Sequence, residues 1–355
     1  MSSQKNRQPM KLHFKESNGP VDRRIHDLME MVGEVHQPEY IREMILCALK
    51  AGQEGMDRAD LKLMNTTLKE MRFTGKIFGP HRKVRKVTVF GSARARPEDP
   101  AYQTAVLFGR KLREAGYMVI TGGGPGIMQA VNEGAGADHS FGVNIRLPFE
   151  QKSNPVLDGS NKSIVYKYFF NRKVAFLKEA NAVALFPGGF GTLDEAMETL
   201  TLVQTGKRDL MPLVLIDPPG SVYWQRWLEF LKAQLMEHQY ISPEDFHLFD
   251  RAESVEDAVE MIDRFYRRFH SLRYVNGRLV IRMHTPVSPE MVKELAVKYA
   301  DILGEGGGIK LSGALDEEKN EPEIQKLPRL LLDFDRRQFG RLRKLVDDLN
   351  DAPAA

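Results

Sequence analysis

The feature that most constrains this chain is an alternation of short apolar runs with helical patterns between Lys86 and about residue 268. "KVTVFGSAR", "YMVITGGG", "FGVNIRL", "SIVYKY", "NAVALFPGG" and "PLVLID" read as strands. Between and after them, "AYQTAVLFGRKLREAG", "GIMQAVNEGAGA", "FFNRKVAFLKEA", "GTLDEAMETLTLVQTG", "SVYWQRWLEFLKAQLMEH" and "SVEDAVEMIDRFYRRFH" read as helices. Strands joined through helices run parallel, and strands apolar at nearly every position are covered on both faces. The expected fold class is α/β, a doubly wound Rossmann-like parallel sheet over residues 84–268.

Both flanks differ from this core. Residues 1–20 are polar and basic and read as a disordered tail. Residues 21–83 carry three helical patterns, an N-terminal helical extension. Its first pattern repeats Ile25, Leu28, Met29 and Val32, its second closes at Gly52, and its third opens on Asp57 as an N-cap. Residues 269–355 read as a small C-terminal α+β appendage: a strand pair around Asn276-Gly277 or one bent strand, a helix, two further strands joined by the acidic loop "DEEKNEPEIQ", and a last helix.

With 51 Lys plus Arg against 48 Asp plus Glu, the net charge of +3 gives no argument for nucleic acid. No run is long and apolar enough for a membrane span, and the first residues lack the apolar core of a secretion signal, so a cytoplasmic location is expected. The single cysteine, Cys47, excludes an internal disulfide; it falls on an apparent apolar helix face and is expected to be a buried structural thiol. The nine histidines are scattered, and no metal site or cofactor is expected.

In an open parallel sheet, ligands bind where loops leave the carboxyl ends of the strands. Three glycine-bearing loops lie there: "FGSARAR" from Phe90, "TGGGPGIM" from Thr121 and "FPGGFGT" from Phe186. Glycine lets backbone N–H groups approach a phosphate, and a following helix presents free N–H donors and partial positive charge. Neither a P-loop nor a clean dinucleotide fingerprint is present. The candidate phosphate and substrate ligands are Gly91, Ser92, Gly123, Gly124, Gly126, Met128, Gly188, Gly189, Gly191 and Thr192. Thr192 is expected to cap its helix while offering its hydroxyl to the same anion.

Glu195 lies three residues beyond Thr192 and is expected on the same side of the helix's first turn, where it would complement the helix dipole. A carboxylate beside a phosphate is better suited to ribose hydroxyls, a water or a cationic transition state than to the phosphate itself. Arg172 and Lys173 open another helix, where cations oppose the dipole, a local cost that hints at function.

Together these residues resemble the LOG family, nucleotide phosphoribohydrolases of the cytokinin-activating type often labelled lysine decarboxylases. The signature P-G-G-x-G-T-x-x-E is complete in Pro187, Gly188, Gly189, Gly191, Thr192 and Glu195. Gly122 to Met128 resembles the family's upstream glycine segment, "VFGSAR" its first strand and loop, and the likeness spans roughly residues 84–265. The family's Arg-Lys pair is retained as Arg172 and Lys173, but Phe169, Phe170 and Asn171 stand where Met-His-Glu is usual. The altered residues are expected to line a base pocket and to change substrate preference. The flanking extensions look like those of long-form bacterial members.

The resemblance implies hydrolysis of the N-glycosidic bond of a nucleoside 5′-monophosphate, AMP-like or a cytokinin ribotide, to free base and ribose 5-phosphate. Glu195 would hold ribose hydroxyls and orient water, Arg172 would stabilise the departing base, and the glycine loops with Lys173 would bind substrate. It also implies a homo-oligomer, a dimer or larger. Two other readings stay open: a pyridoxal-phosphate decarboxylase built on Lys173, and a non-catalytic nucleotide-sensing or carrier module on the same fold.

Overall fold

A computed structural model of the chain describes residues 19–147 and 153–353, so nearly all of the expected N-terminal tail lies outside the described residues. The chain forms two compact units, one up to Lys69 and one from Glu70 to the end.

The first unit contains α1 (Pro20–Val32), α2 (Pro38–Gln53) and most of α3 (Arg58–Phe78). Asp57 accepts the backbone N–H of Asp60 at 2.8 Å and so caps α3 as the sequence suggested. Of the apolar repeat in α1 only Ile25 is buried, while Leu28 and Val32 are exposed. Cys47 is also exposed, which corrects the expectation of a buried thiol: Leu46 and Ala51 take the inner face of α2.

In the second unit the strands are β1 (Lys86–Phe90), β2 (Met118–Thr121), β3 (Ser140–Ile145), β4 (Ser163–Tyr166), β5 (Ala182–Leu185), β6 (Leu213–Ile216) and β7 (Asp250–Ala252). They form one parallel sheet in the order β4-β3-β2-β1-β5-β6-β7. The alternation of residues along β1 divides the core between two faces. Val87 and Val89 face α4 (Pro100–Glu114), α5 (Ile127–Ala135) and α9 (Val255–Phe265), packing with Phe108, Ala130 and Ile262. Phe90 and Ile120 face α6 (Phe169–Lys178), α7 (Phe190–Gln204) and α8 (Tyr223–Phe230), packing with Phe176, Ala196 and Trp224.

Two departures have local causes. β7 was not expected because "DRA" offers no apolar run; as the sheet's outer strand it is covered less completely than its neighbours. The helix expected to run through "SVYWQRWLEFLKAQLMEH" changes from α8 into a π-helical turn at Leu231–Met236.

Beyond α9 come β8 (Phe269–Val275), β9 (Arg278–Met283), α10 (Pro289–Lys298), β10 (Ile309–Ser312), β11 (Arg329–Leu332) and α11 (Phe339–Asp351). The strands form an antiparallel sheet ordered β10-β11-β9-β8. Asn276 and Gly277 both have positive φ, 49° and 84°, so the strand pair forms around a tight turn and the single bent strand does not. This sheet and α11 share one apolar core with the α6–α8 face of the parallel sheet.

Candidate active site

The strand order reverses between β1 and β5, which pair directly with Phe90 opposite Leu185. The loops leaving their carboxyl ends must diverge there and leave a crevice. Ser92 donates its backbone N–H to the Pro187 carbonyl at 3.1 Å, tying the two loops together at its floor. The resulting cleft, of about 710 Å³, is lined by Gly91, Ser92, Met128, Arg172, Gly188, Gly189, Gly191, Thr192 and Glu195 among others.

Glu195 is 4% exposed, and its Oε2 is buried without a hydrogen-bond partner. Burial pushes its carboxyl up to about 7; Lys173 and Arg172 pull the other way, and Glu198 and Asp194 add to the rise. Counted from Phe190, Glu195 falls in the second turn of α7, not the first as expected. The helix dipole acts mainly within the first turn, so it gives little reason for a carboxylate here. A buried acid with an unfilled oxygen facing a cleft is the pattern of a functional group.

Arg172 faces the same cleft from α6. Its guanidinium stacks between Phe169 and Phe176, 5.2 and 5.1 Å from their ring centres, while Nε is buried and unpaired. Burial lowers its pKa and Glu195 opposes that shift. The guanidinium is thus held by ring faces, leaving its hydrogen-bonding edge for a ligand.

The glycine loops do different jobs. Gly188 is packed shut: a Cβ there would lie 2.1 Å from Thr192 Oγ1 and 3.0 Å from the Ser92 nitrogen. Thr192 folds back over Gly188, while Gly189 is the N-cap of α7, which corrects the capping role expected of Thr192. Gly189 and Gly191 have neither a positive φ nor an atom within 4 Å of a would-be Cβ. Packing does not require glycine at these two positions, and with no side chain their backbone is open to close approach from the cleft.

Gly123, Gly124 and Gly126 were expected at the ligand but do not line the cleft. Asn154 ties down the first two, donating its backbone N–H to the Gly123 carbonyl at 2.8 Å and its side-chain amide to the Gly124 carbonyl at 3.1 Å. Gly126 makes room for Ser92: a Cβ would lie 2.3 Å from the Ser92 carbonyl oxygen, which accepts the Ile127 N–H at 3.0 Å.

Lys173 is likewise not a lining residue. Its ammonium sits 2.7 Å from Asp194 and 3.0 Å from Glu198, binding α6 to α7. Burial would lower its pKa, but these two carboxylates outweigh burial and raise it. A Schiff-base lysine must be neutral to attack, and among the described residues no lysine lines the cleft. The site therefore does not fit pyridoxal phosphate. Among the described residues, no group of three or more His, Cys, Asp or Glu side chains is arranged to hold a metal.

Of the residues replacing the usual Met-His-Glu, Phe169 lines the cleft, whereas Asn171 turns away and donates to Glu70 at 2.6 Å. Sequence reasoning missed Glu70, Arg94 at the rim, and Tyr223, whose hydroxyl donates to the Gly188 carbonyl at 2.8 Å. Arg94 stands two residues after Ser92 within a loop already singled out, which was the available signal. Glu70 and Tyr223 come from distant segments and leave no local pattern.

Residues 128–262 match the family described as "Possible lysine decarboxylase". Over about half its length the chain is similar to LOG-type proteins. It is 26% identical over 189 residues to a cytokinin riboside 5′-monophosphate phosphoribohydrolase of Arabidopsis thaliana, covering 52% of this chain and 86% of that protein. It is 29% identical over 120 residues to the pyrimidine/purine nucleotide 5′-monophosphate nucleosidase of Escherichia coli, covering 31% of this chain and 26% of that one. Among solved structures, the molybdenum cofactor carrier protein of Chlamydomonas reinhardtii aligns with a TM-score of 0.36 at 19% identity, over 51% of this chain and 97% of that one. Among the described residues, no helix is long and apolar enough to cross a membrane.

Proposed function

We propose that the protein hydrolyses the N-glycosidic bond of nucleoside 5′-monophosphates, releasing free base and ribose 5-phosphate. The observation that carries this reading is Glu195, a buried carboxyl with an open oxygen in the cleft shared by Arg172 and the exposed backbone of Gly189 and Gly191. The names of the relatives supply the reaction class.

Departure of the base leaves positive charge on the ribose, and an ionised Glu195 stabilises that charge, holds the ribose hydroxyls and orients water. Arg172 supports the departing base, against which Phe169 and Met128 offer apolar surface. The N-terminus of α7 and the Gly91-Ser92 loop take the 5′-phosphate, with Arg94 adding a cation at the rim. No cofactor or metal enters this scheme.

The test is incubation of the purified protein with AMP, GMP, IMP, UMP, CMP and an isoprenyl-AMP. Base and ribose 5-phosphate are quantified for the wild type, Glu195→Ala and Arg172→Ala. Release that both substitutions abolish supports the reading, and the preferred base names the substrate. Binding without release from any nucleotide would move the assignment to a sensing or carrier module.

A further inference from the structure

A second cleft of about 1110 Å³ lies in the second unit, lined by none of the residues of the catalytic crevice. Arg85 immediately precedes β1, Tyr117 precedes β2 and Asn181 precedes β5, and all three line this cleft. The same three strands carry the glycine loops at their other ends. Its far wall comes from the antiparallel sheet, through His270 of β8 and His284 just beyond β9.

The chemistry of the lining is that of an anion site. The Arg85 guanidinium lies 4.1 Å from the Tyr266 ring centre and one of its nitrogens lies 3.5 Å from His284 Nε2. Among the described residues no carboxylate forms an ion pair with it, so its hydrogen-bonding fork is held in place with no anion of the protein to fill it. Arg82 and Lys83 add two cations. Of the two carboxylates present, Asp263 accepts the Tyr117 hydroxyl at 2.6 Å, and Glu323 meets Lys83 at 3.6 Å in an exposed contact of little strength. His270 and His284 stack edge to face at 5.2 Å. Burial, then neighbouring His284, Arg282 and Arg85, push His270 down to about 4, so it faces the cleft uncharged and able to gain a proton beside an anion.

We propose that this cleft is a second binding site, for a small molecule bearing phosphate groups. A phosphate ester or anhydride concentrates several negative charges and acceptor oxygens in the space these cations share, and the Arg85 fork matches it in a bidentate manner.

The test uses the full chain with nitrogen-15-labelled histidine, titrated with inorganic pyrophosphate and, separately, with citrate. The His270 and His284 signals are assigned through His270→Gln and His284→Gln. Pyrophosphate is expected to shift both signals with a saturable curve, and Arg82→Ala/Arg85→Ala to weaken that curve at least tenfold. Arg82→Ala alone removes an exposed side chain and keeps the test sound if the double variant folds poorly; it is expected to weaken binding by a smaller factor. Signals that stay fixed up to about 10 mM pyrophosphate, or that respond equally to citrate or in both variants, would overturn the assignment. Because the readout is local to the two imidazoles, binding in the catalytic crevice does not contribute, and the outcome is independent of the proposed reaction.

Discussion

Asn171 donates its side-chain amide to one oxygen of Glu70 at 2.6 Å, and the other oxygen accepts the backbone N–H of Lys167 at 2.6 Å. Glu70, on α3, is 8% exposed and so holds both the chain entering α6 and its first turn. Arg172 is the next residue along. Glu70→Ala removes the acceptor of both bonds and is expected to cost about 1–3 kcal/mol. It should also lower kcat about tenfold to a hundredfold by loosening Arg172. Urea unfolding and steady-state hydrolysis check the two parts; a folded variant with unchanged kcat would show that Glu70 does not position the arginine.

Glu195 gives a stability prediction with a definite sign. Its folded pKa of about 7 lies above the ordinary 4.5, so the native state binds the proton more tightly than the unfolded chain does. Ionisation then penalises the fold: the penalty is absent below about pH 4.5, develops as pH rises to 7, and is complete above it. At about 1.4 kcal/mol per pKa unit, it approaches about 3 kcal/mol. Glu195→Gln should therefore be inactive yet more stable than the wild type at pH 8, with the difference vanishing near pH 4.5. Wild-type kcat/KM should fall about tenfold per unit below pH 7, because the reaction needs the carboxylate. Equal stability of the two proteins at pH 8 would mean that burial does not raise this carboxyl.

Gly188 and Gly191 stand three residues apart and should respond oppositely to alanine. At Gly188 the new methyl meets Thr192 and the Ser92 backbone, which must move, so Gly188→Ala should cost about 1–3 kcal/mol and disturb the cleft. At Gly191, inside α7, nothing lies within 4 Å, and alanine should leave stability unchanged or slightly raised. If the backbone there faces the 5′-phosphate, Gly191→Ala should raise KM for the nucleotide about tenfold or more. Thermal melts beside KM values separate the cases, and an unchanged KM in Gly191→Ala would remove that stretch of α7 from the phosphate site.

Six of the seven strands in the parallel sheet were legible because each is an apolar run, whereas their order, which opens the cleft between β1 and β5, was not. β7 was not legible, since Asp250 and Arg251 imitate a loop. Glycine content marked loops that border the cleft but not the job of each residue. Gly123 and Gly126 answer to Asn144, Ser92 and Asn154, neighbours that only the fold brings close. Glu195 was singled out in the sequence by the signature P-G-G-x-G-T-x-x-E, whereas its unfilled oxygen and the Glu70 contact that holds α6 depend on tertiary packing.

The acidic loop "DEEKNEPEIQ", read from sequence as a connection between two strands, turns one carboxylate fully inward. Glu318 is 0% exposed; Oε1 accepts Arg282 at 2.6 Å and Oε2 accepts Arg329 at 2.6 Å. Burial alone would raise its pKa, but the hydrogen bonds from Arg282, the Leu315 backbone and Arg329 outweigh burial and hold it below the ordinary value. Its contribution to stability is thus complete well above pH 4.5 and is lost as pH falls through the lowered pKa. Glu318→Ala leaves two buried guanidinium groups without their anion and should cost about 3–5 kcal/mol at neutral pH. Asp316→Ala, in the same loop with its carboxylate in water, should cost almost nothing. Urea unfolding at pH 7 measures both, and a loss in Glu318→Ala no larger than in Asp316→Ala would show that this triad does not hold the C-terminal sheet together.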